Sequence, residues 1–208
     1  MRYDTGGLRK EQRRISEKVV VKDHLPRRIG TIAGFDTGYS GNKAKTAGVV
    51  LDYETFEILE KRTTKTTVRF PYIPTFLTFR EGPPVIELYK KFEIEPDVLM
   101  FNGQGIAHPF RAGLASHVGV LIGKPSIGVA QKRLVGEYRE PERKMEYSRL
   151  LFNGEQVGWV LKSKEGCRPV FISPGHMVSL QKSLEICLHC LRGRKLPEPL
   201  ALAHELSK

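Results

Sequence analysis

Asp36, Glu81, His108 and His204 are the side chains of this sequence whose types and settings could carry chemistry. Asp36 stands in Phe35-Asp36-Thr37-Gly38, an acid inside an apolar run. A carboxylate there is costly to bury unless it is paired, hydrogen-bonded or bound to a metal, which makes it a site candidate. Glu81 follows Arg80 and precedes Gly82-Pro83-Pro84, at what reads as the entry to a helix, where an acid complements the helix dipole. His108 lies in Gly105-Ile106-Ala107-His108-Pro109, a glycine-rich turn whose backbone amides can approach an anion. His204 falls on the last helical segment and reads equally well as a surface histidine. Asp-Thr-Gly also marks aspartic proteases, but these need two such carboxylates sharing a proton. The chain has one copy, is short for two lobes at 208 residues and is strongly basic, so that reading is set aside.

Composition narrows the partners. With 34 Lys and Arg against 23 Asp and Glu the net charge is +11, which favours polyanions. Lys61, Arg62, Lys65 and Arg69 fall in an acid-free window, interleaved with Thr63, Thr64, Thr66 and Thr67 and followed by Phe70, Tyr72, Phe76 and Phe79. Alternating cations and β-branched residues read as an exposed strand face suited to phosphate contacts. The three cysteines, Cys167, Cys187 and Cys190, are too few for a disulfide scaffold and point to a reducing cytoplasm. Cys187 and Cys190 form a single CxxC inside an apolar helical pattern, so core packing is expected rather than zinc. Apolar runs such as Val118 to Ile122 fall far below the roughly 18 residues of a membrane span. The start, Met1-Arg2-Tyr3-Asp4, shows no apolar signal core, so a soluble cytoplasmic protein is expected.

The elements that must position these residues follow from periodicity. Leu8 to Val21 reads as a basic amphipathic helix; Gly30 to Ser40, Ala47 to Tyr53 and Glu57 to Val68 read as an antiparallel meander. Helical spacing returns at Val85 to Phe92, Phe110 to Ile122, Leu180 to Leu191 and Pro199 to Lys208. Strands are expected at Asp97 to Phe101, Pro125 to Ala130 and Pro169 to Ser173, with a hairpin from Leu150 to Leu161 through Asn153-Gly154, and Glu137 to Glu146 as a solvated loop. A meander followed by alternating helices and strands predicts an α/β fold, a mixed sheet covered by helices, in a single domain over residues 1–208.

Longer blocks carry a resemblance. Ile32-Ala33-Gly34-Phe35-Asp36, Tyr72-Ile73-Pro74 through Arg80-Glu81-Gly82-Pro83, Asn102-Gly103-Gln104-Gly105-Ile106-Ala107-His108-Pro109, Gly113-Leu114-Ala115-Ser116-His117, Ile127-Gly128-Val129-Ala130, Ser173-Pro174-Gly175-His176 and Leu196-Pro197-Glu198-Pro199 resemble the endonuclease V family in the family's order. The resemblance implies a ribonuclease H-like fold and a magnesium- or manganese-dependent endonuclease. Such an enzyme hydrolyses a phosphodiester near deaminated adenine (inosine) in DNA or RNA, here as a monomer. By position, Asp36 matches the first-strand metal ligand, Asn102 a second ligand position, Glu81 the second acid, and His204 a histidine near the metal. Tyr72, Ile73 and Pro74 match the wedge that opens the strand. Gly103, Gly105, His108 and Gly113 match the loops that receive the altered base, where glycine lets backbone amides read its edge; Gln131 stands at a position facing the same site.

The departures are specific. Asn102-Gly103-Gln104-Gly105 stands where the family usually has Asp-Gly-His-Gly, and Gly128-Val129-Ala130-Gln131 where it usually has Gly-Val-Ala-Lys. A neutral amide at 102 removes one negative charge and is expected to weaken magnesium binding. Lys132, next to Gln131, is expected to point to the opposite face if the strand continues. The second reading is therefore a family member that binds deaminated or branched nucleic acid without efficient cleavage.

Overall fold

The computed structural model describes residues 4–208; Met1, Arg2 and Tyr3, read above for the lack of a signal core, lie outside the described residues. In chain order the elements are α1 (Thr5–Ser16), β1 (Thr31–Ser40), β2 (Lys43–Asp52), β3 (Ile58–Thr67), α2 (Leu77–Tyr89), β4 (Val98–Phe101), α3 (Leu114–Ile122), β5 (Ser126–Ala130), β6 (Tyr147–Phe152), β7 (Glu155–Leu161), β8 (Val170–His176), α4 (Leu180–His189) and α5 (Glu198–Ser207). Among the described residues the strands form an eight-stranded sheet in the order β3-β2-β1-β4-β5-β8-β7-β6. The meander β1 to β3 is antiparallel, β1, β4 and β5 run parallel, and β8, β7 and β6 return antiparallel. The mixed sheet flanked by helices is the fold the sequence predicts. The hairpin turn is as expected: Asn153 and Gly154 both take positive φ, 54° and 79°, the geometry that matches strand twist in a two-residue loop.

Alternation of side chains along the strands gives the sheet two apolar faces. Phe35, Leu99 and Phe101 meet Leu88 of α2 and Val118 of α3 on one. Ile32, Met100 and Ile127 meet Leu184 of α4 and Leu200 of α5 on the other. Cys187 and Cys190 are fully buried in this second layer, as expected of packing residues, and burial raises both thiols, Cys190 to about 12. Helix α5 lies flush on β1 because Gly38 has no side chain: a Cβ there would come within 2.3 Å of the Ser207 carbonyl oxygen. That close approach brings the end of α5 over Asp36.

Three boundaries differ from expectation. Helix α1 runs from its Asp4 cap to Ser16 rather than to Val21. The β-branched Val19 to Val21 stretch is drawn away instead: the Val20 amide donates to His176 Nδ1 and its carbonyl accepts from Met177. Helix α3 begins at Leu114, not Phe110, after the Gly113 cap. Helix α2 begins at Leu77, with Pro83 and Pro84 inside it, so Glu81 sits in its second turn and not at its entry. The two prolines, read as marking a helix start, occupy its interior. Among the described residues no helix is long and apolar enough to cross a membrane.

Candidate active site

Asp36 and Asn102 come together at the carboxyl end of the parallel strands. Phe35 on β1 pairs with Phe101 on β4, so the residue after each stands level with the other where β4 ends. Ligand sites of α/β sheets gather at such strand ends. Asp36 is only 8% exposed, and its carboxylate is fully engaged. Oδ1 accepts from Asn102 Nδ2 at 2.7 Å; Oδ2 accepts from Ser207 Oγ at 3.0 Å and lies 2.8 Å from His204 Nδ1. Ser207 and His204 are one helical turn apart on α5, the spacing that places two side chains on one face.

Glu81 reaches the same region from α2. It is buried, and burial, reinforced by the charge of Asp36, pushes its carboxyl up to about 7 against the lowering effect of its hydrogen bond from Tyr39. The Tyr39 hydroxyl donates to Oε1 at 2.8 Å, and burial together with the Glu81 charge raises the phenol in turn. The Arg80 guanidinium lies 4.3 Å from the Tyr39 ring centroid and donates to the Phe70 carbonyl at 2.9 Å, tying the acid to the segment that precedes Tyr72.

Beside Asn102 opens a cavity of about 340 Å³, lined by Tyr72, Gly103, Gln104, His108, Gly113 and Gln131 among others. Tyr72 stands at it 68% exposed, in a loop, with Ile73 half-buried and Pro74 exposed beside it. Two features depart from the sequence reading. The amides of Gly103, Gly105 and Gly113 are already spent inside the protein, on the Phe101 carbonyl, Ser173 Oγ and the Gly105 carbonyl. Gly105 serves close packing instead: a Cβ there would meet the Pro174 carbonyl oxygen at 2.0 Å. Strand β5 ends at Ala130, so the alternation argument does not reach Lys132, and Gln131 and Lys132 line the same cavity.

His108 is buried and neutral. Its Nδ1 accepts from the Phe110 amide at 3.2 Å, so Nε2 carries the proton and donates to the Thr75 carbonyl at 2.9 Å. Burial lowers its pKa to about 4. Thr75 has a positive φ of 72°, and its carbonyl also accepts from Gln12 Nε2 of α1 at 2.5 Å. The Tyr72-Ile73-Pro74 segment is thus anchored just past its end by two donors. Gln104 Nε2 donates to the Lys132 carbonyl at 2.9 Å, while its buried Oε1 has no partner.

Sequence reasoning missed Tyr39, Ser207, Gln12 and Lys195. Ser207 had a legible signal, its position three residues after His204. Lys195, whose Nζ lies 3.4 Å from Gln131 Oε1, had none, because it meets Gln131 only through the tertiary fold.

A family model described as endonuclease V matches residues 13–205. An endonuclease V of Methanothrix thermoacetophila is 49% identical over 181 residues, 86% of this chain and 81% of that protein. A crystal structure of the endonuclease V of Streptomyces avermitilis superposes with a TM-score of 0.90 at 32% identity, covering 99% of this chain and 92% of that one. The endonuclease V of Ciona intestinalis, solved in complex with a 24-mer DNA containing an inosine followed by a ribo-adenosine, superposes with a TM-score of 0.84 at 25% identity, covering 98% and 95%. Sequence blocks, sheet order and these relatives agree, and the chain belongs to the endonuclease V family of nucleases.

Proposed function

We propose that this chain is a metal-dependent endonuclease that hydrolyses a phosphodiester near inosine in DNA or RNA, acting as a cytoplasmic monomer built of one domain. The observation that carries the reading is the adjacency of a fully engaged, buried Asp36 to a cavity that Asn102 and Tyr72 both line. At about 340 Å³ the cavity falls at the low end of the roughly 300–1,000 Å³ of small-ligand sites, adequate for one extruded base. That the Ciona relative was solved on an inosine-containing strand supports the choice of base.

The donor set fits a hard dication in chemistry and falls short in charge. Carboxylate oxygens of Asp36 and Glu81 and the amide oxygen of Asn102 are ligands that magnesium or manganese takes. Two buried acids in one site are also what a cation relieves, and Glu81 feels the charge of Asp36. Among the described residues, however, no three of Asp, Glu, His and Cys gather as a metal-binding group. When bound, the metal supplies charge neutralisation at the phosphate and an activated water. The chain does the rest. Asp36 is held in place by Asn102, His204 and Ser207; Tyr39 fixes Glu81. His204, oriented through Nδ1, keeps Nε2 for a proton at the attacking or leaving oxygen, and Tyr72 wedges at the lesion.

The Asn102 amide favours one second reading, a weakened member that binds such strands without efficient cleavage. Incubating the protein with inosine-containing DNA and RNA strands, with magnesium, manganese or chelator, separates the two. Metal-dependent nicking only in inosine strands supports the endonuclease. Tight, inosine-selective binding with no nick in either metal supports the weakened member, and indifference to inosine overturns both.

A further inference from the structure

A second groove, of about 520 Å³, opens along β1 to β3, and its walls include Tyr39, Ser207, Lys43, Lys45 and Lys65. The base cavity lies at the ends of β4 and β5, so in the sheet order Asp36 on β1 separates the two. The groove shares its walls with the site: Ser207 donates to Asp36 and Tyr39 to Glu81. Strand register places its cations. Asp36 pairs with Ala47, which pairs with Thr63; one same-face step further, Gly38 pairs with Lys45, which pairs with Lys65. Side chains two residues apart on a strand share a face, so Lys45 and Lys65 stand side by side on the face of Asp36, roughly 7 Å further along the strands.

Two like charges directly opposite on neighbouring strands are destabilising. Here no carboxylate comes within 4.0 Å of Lys43, Lys45 or Lys65 among the described residues, although Arg62 on the same strand is paired with Glu60 and Glu93. Lys45 is moreover only partly exposed. A juxtaposed lysine pair left without an acid, in a groove that runs into the active site, is built for an anion. Resting on the reading above, we infer that this groove holds the phosphodiester backbone of the strand on the side of the scissile phosphate away from the extruded base. On that reading one arm of the strand beside the lesion is gripped by Lys45 and Lys65, with Lys43 next to them.

The test is a binding titration of wild type and Lys45→Gln/Lys65→Gln in chelator. The probes are single strands with inosine centrally placed, with the 5′ arm cut to one nucleotide, and with the 3′ arm cut likewise. Wild type loses affinity when one particular arm is removed. The double variant binds the full strand as weakly as wild type binds that truncated one and loses nothing more on truncation. Its slope of log Kd against log salt is smaller by about 1.4, two phosphate contacts at about 0.7 each on single strands. A loss of the same size on all three strands, or no loss on any, overturns the groove assignment, and matched circular dichroism spectra exclude misfolding. The adenosine version of the full strand guards the parent reading: if wild type does not prefer inosine, that reading fails, whereas preference with an unaffected double variant defeats the groove alone.

Discussion

Replacing Asn102 with aspartate reverses a local charge relation that the structure makes quantitative. Asn102 Nδ2 donates to Asp36 Oδ1 at 2.7 Å, and Asp36 is 8% exposed. In Asn102→Asp without metal that hydrogen bond to a charged acceptor, worth about 1.5–3 kcal/mol, is lost. Two carboxylates about 4 Å apart at an effective dielectric near 20 also repel by about 4 kcal/mol, less whatever a shared proton relieves. A net loss of about 3 kcal/mol is expected, which for a chain of this size lowers Tm by about 6–12 °C. Magnesium should narrow that gap, since ligand at one hundred times its Kd stabilises by about 2.7 kcal/mol, and the variant is expected to bind it more tightly than wild type does. The assay is thermal unfolding of both proteins in chelator and in a magnesium series, with the mass of residue 102 checked because the Asn102-Gly103 sequence is prone to deamidation. If the two proteins melt together in chelator, the Asn102 to Asp36 hydrogen bond does not stabilise the fold. A variant that is less stable in chelator yet gains nothing from magnesium would place the deficit elsewhere, with Gln131 next in line.

Three further outcomes are expected. Tyr72→Ala should weaken binding to inosine strands by about 1–3 kcal/mol, the worth of one stacking aromatic, with unchanged Tm because the ring is 68% exposed; equal weakening on undamaged strands would reduce Tyr72 to a loop support. Gly38→Ala, whose Cβ meets the Ser207 carbonyl at 2.3 Å, should displace the end of α5, cost about 1–3 kcal/mol and reduce incision beyond the loss of folded protein. His108 has a folded pKa of about 4, below its ordinary value, so the unfolded chain binds more protons and this stabilisation, present above about pH 6.5, is lost as pH falls toward 4. Glu81, raised to about 7, acts with the opposite sign over much of that range. The difference in unfolding free energy between wild type and His108→Gln in chelator isolates the histidine and should change by up to about 3 kcal/mol between pH 7 and 4; a pH-independent difference contradicts a buried neutral His108.

What the sequence made legible was whatever local patterning encodes. The β1 to β3 meander, the Asn153-Gly154 hairpin and the buried cysteines follow from alternation, turn chemistry and helical spacing, which act over a few residues. Asp36 stood out as an acid in an apolar strand. Its partners did not: Tyr39 holds Glu81 across a sheet-to-helix contact, and Lys195 meets Gln131 at a distance of 64 residues in sequence. Glu81 was misplaced at a helix entry because Pro83 and Pro84 are ordinarily found there, whereas α2 tolerates both in its interior. The family's glycines suggested free amides, but only the fold shows those of Gly103, Gly105 and Gly113 engaged.

Single-turnover incision of an inosine-containing strand by freshly prepared protein, with residue 102 verified as asparagine, tests the central claim most directly. A nick that needs magnesium or manganese, spares the adenosine strand, disappears in Asp36→Ala and forms faster in Asn102→Asp is the result expected of an endonuclease acting through the Asp36 site. An uncut inosine strand under both metals, or a nick that survives Asp36→Ala, contradicts it.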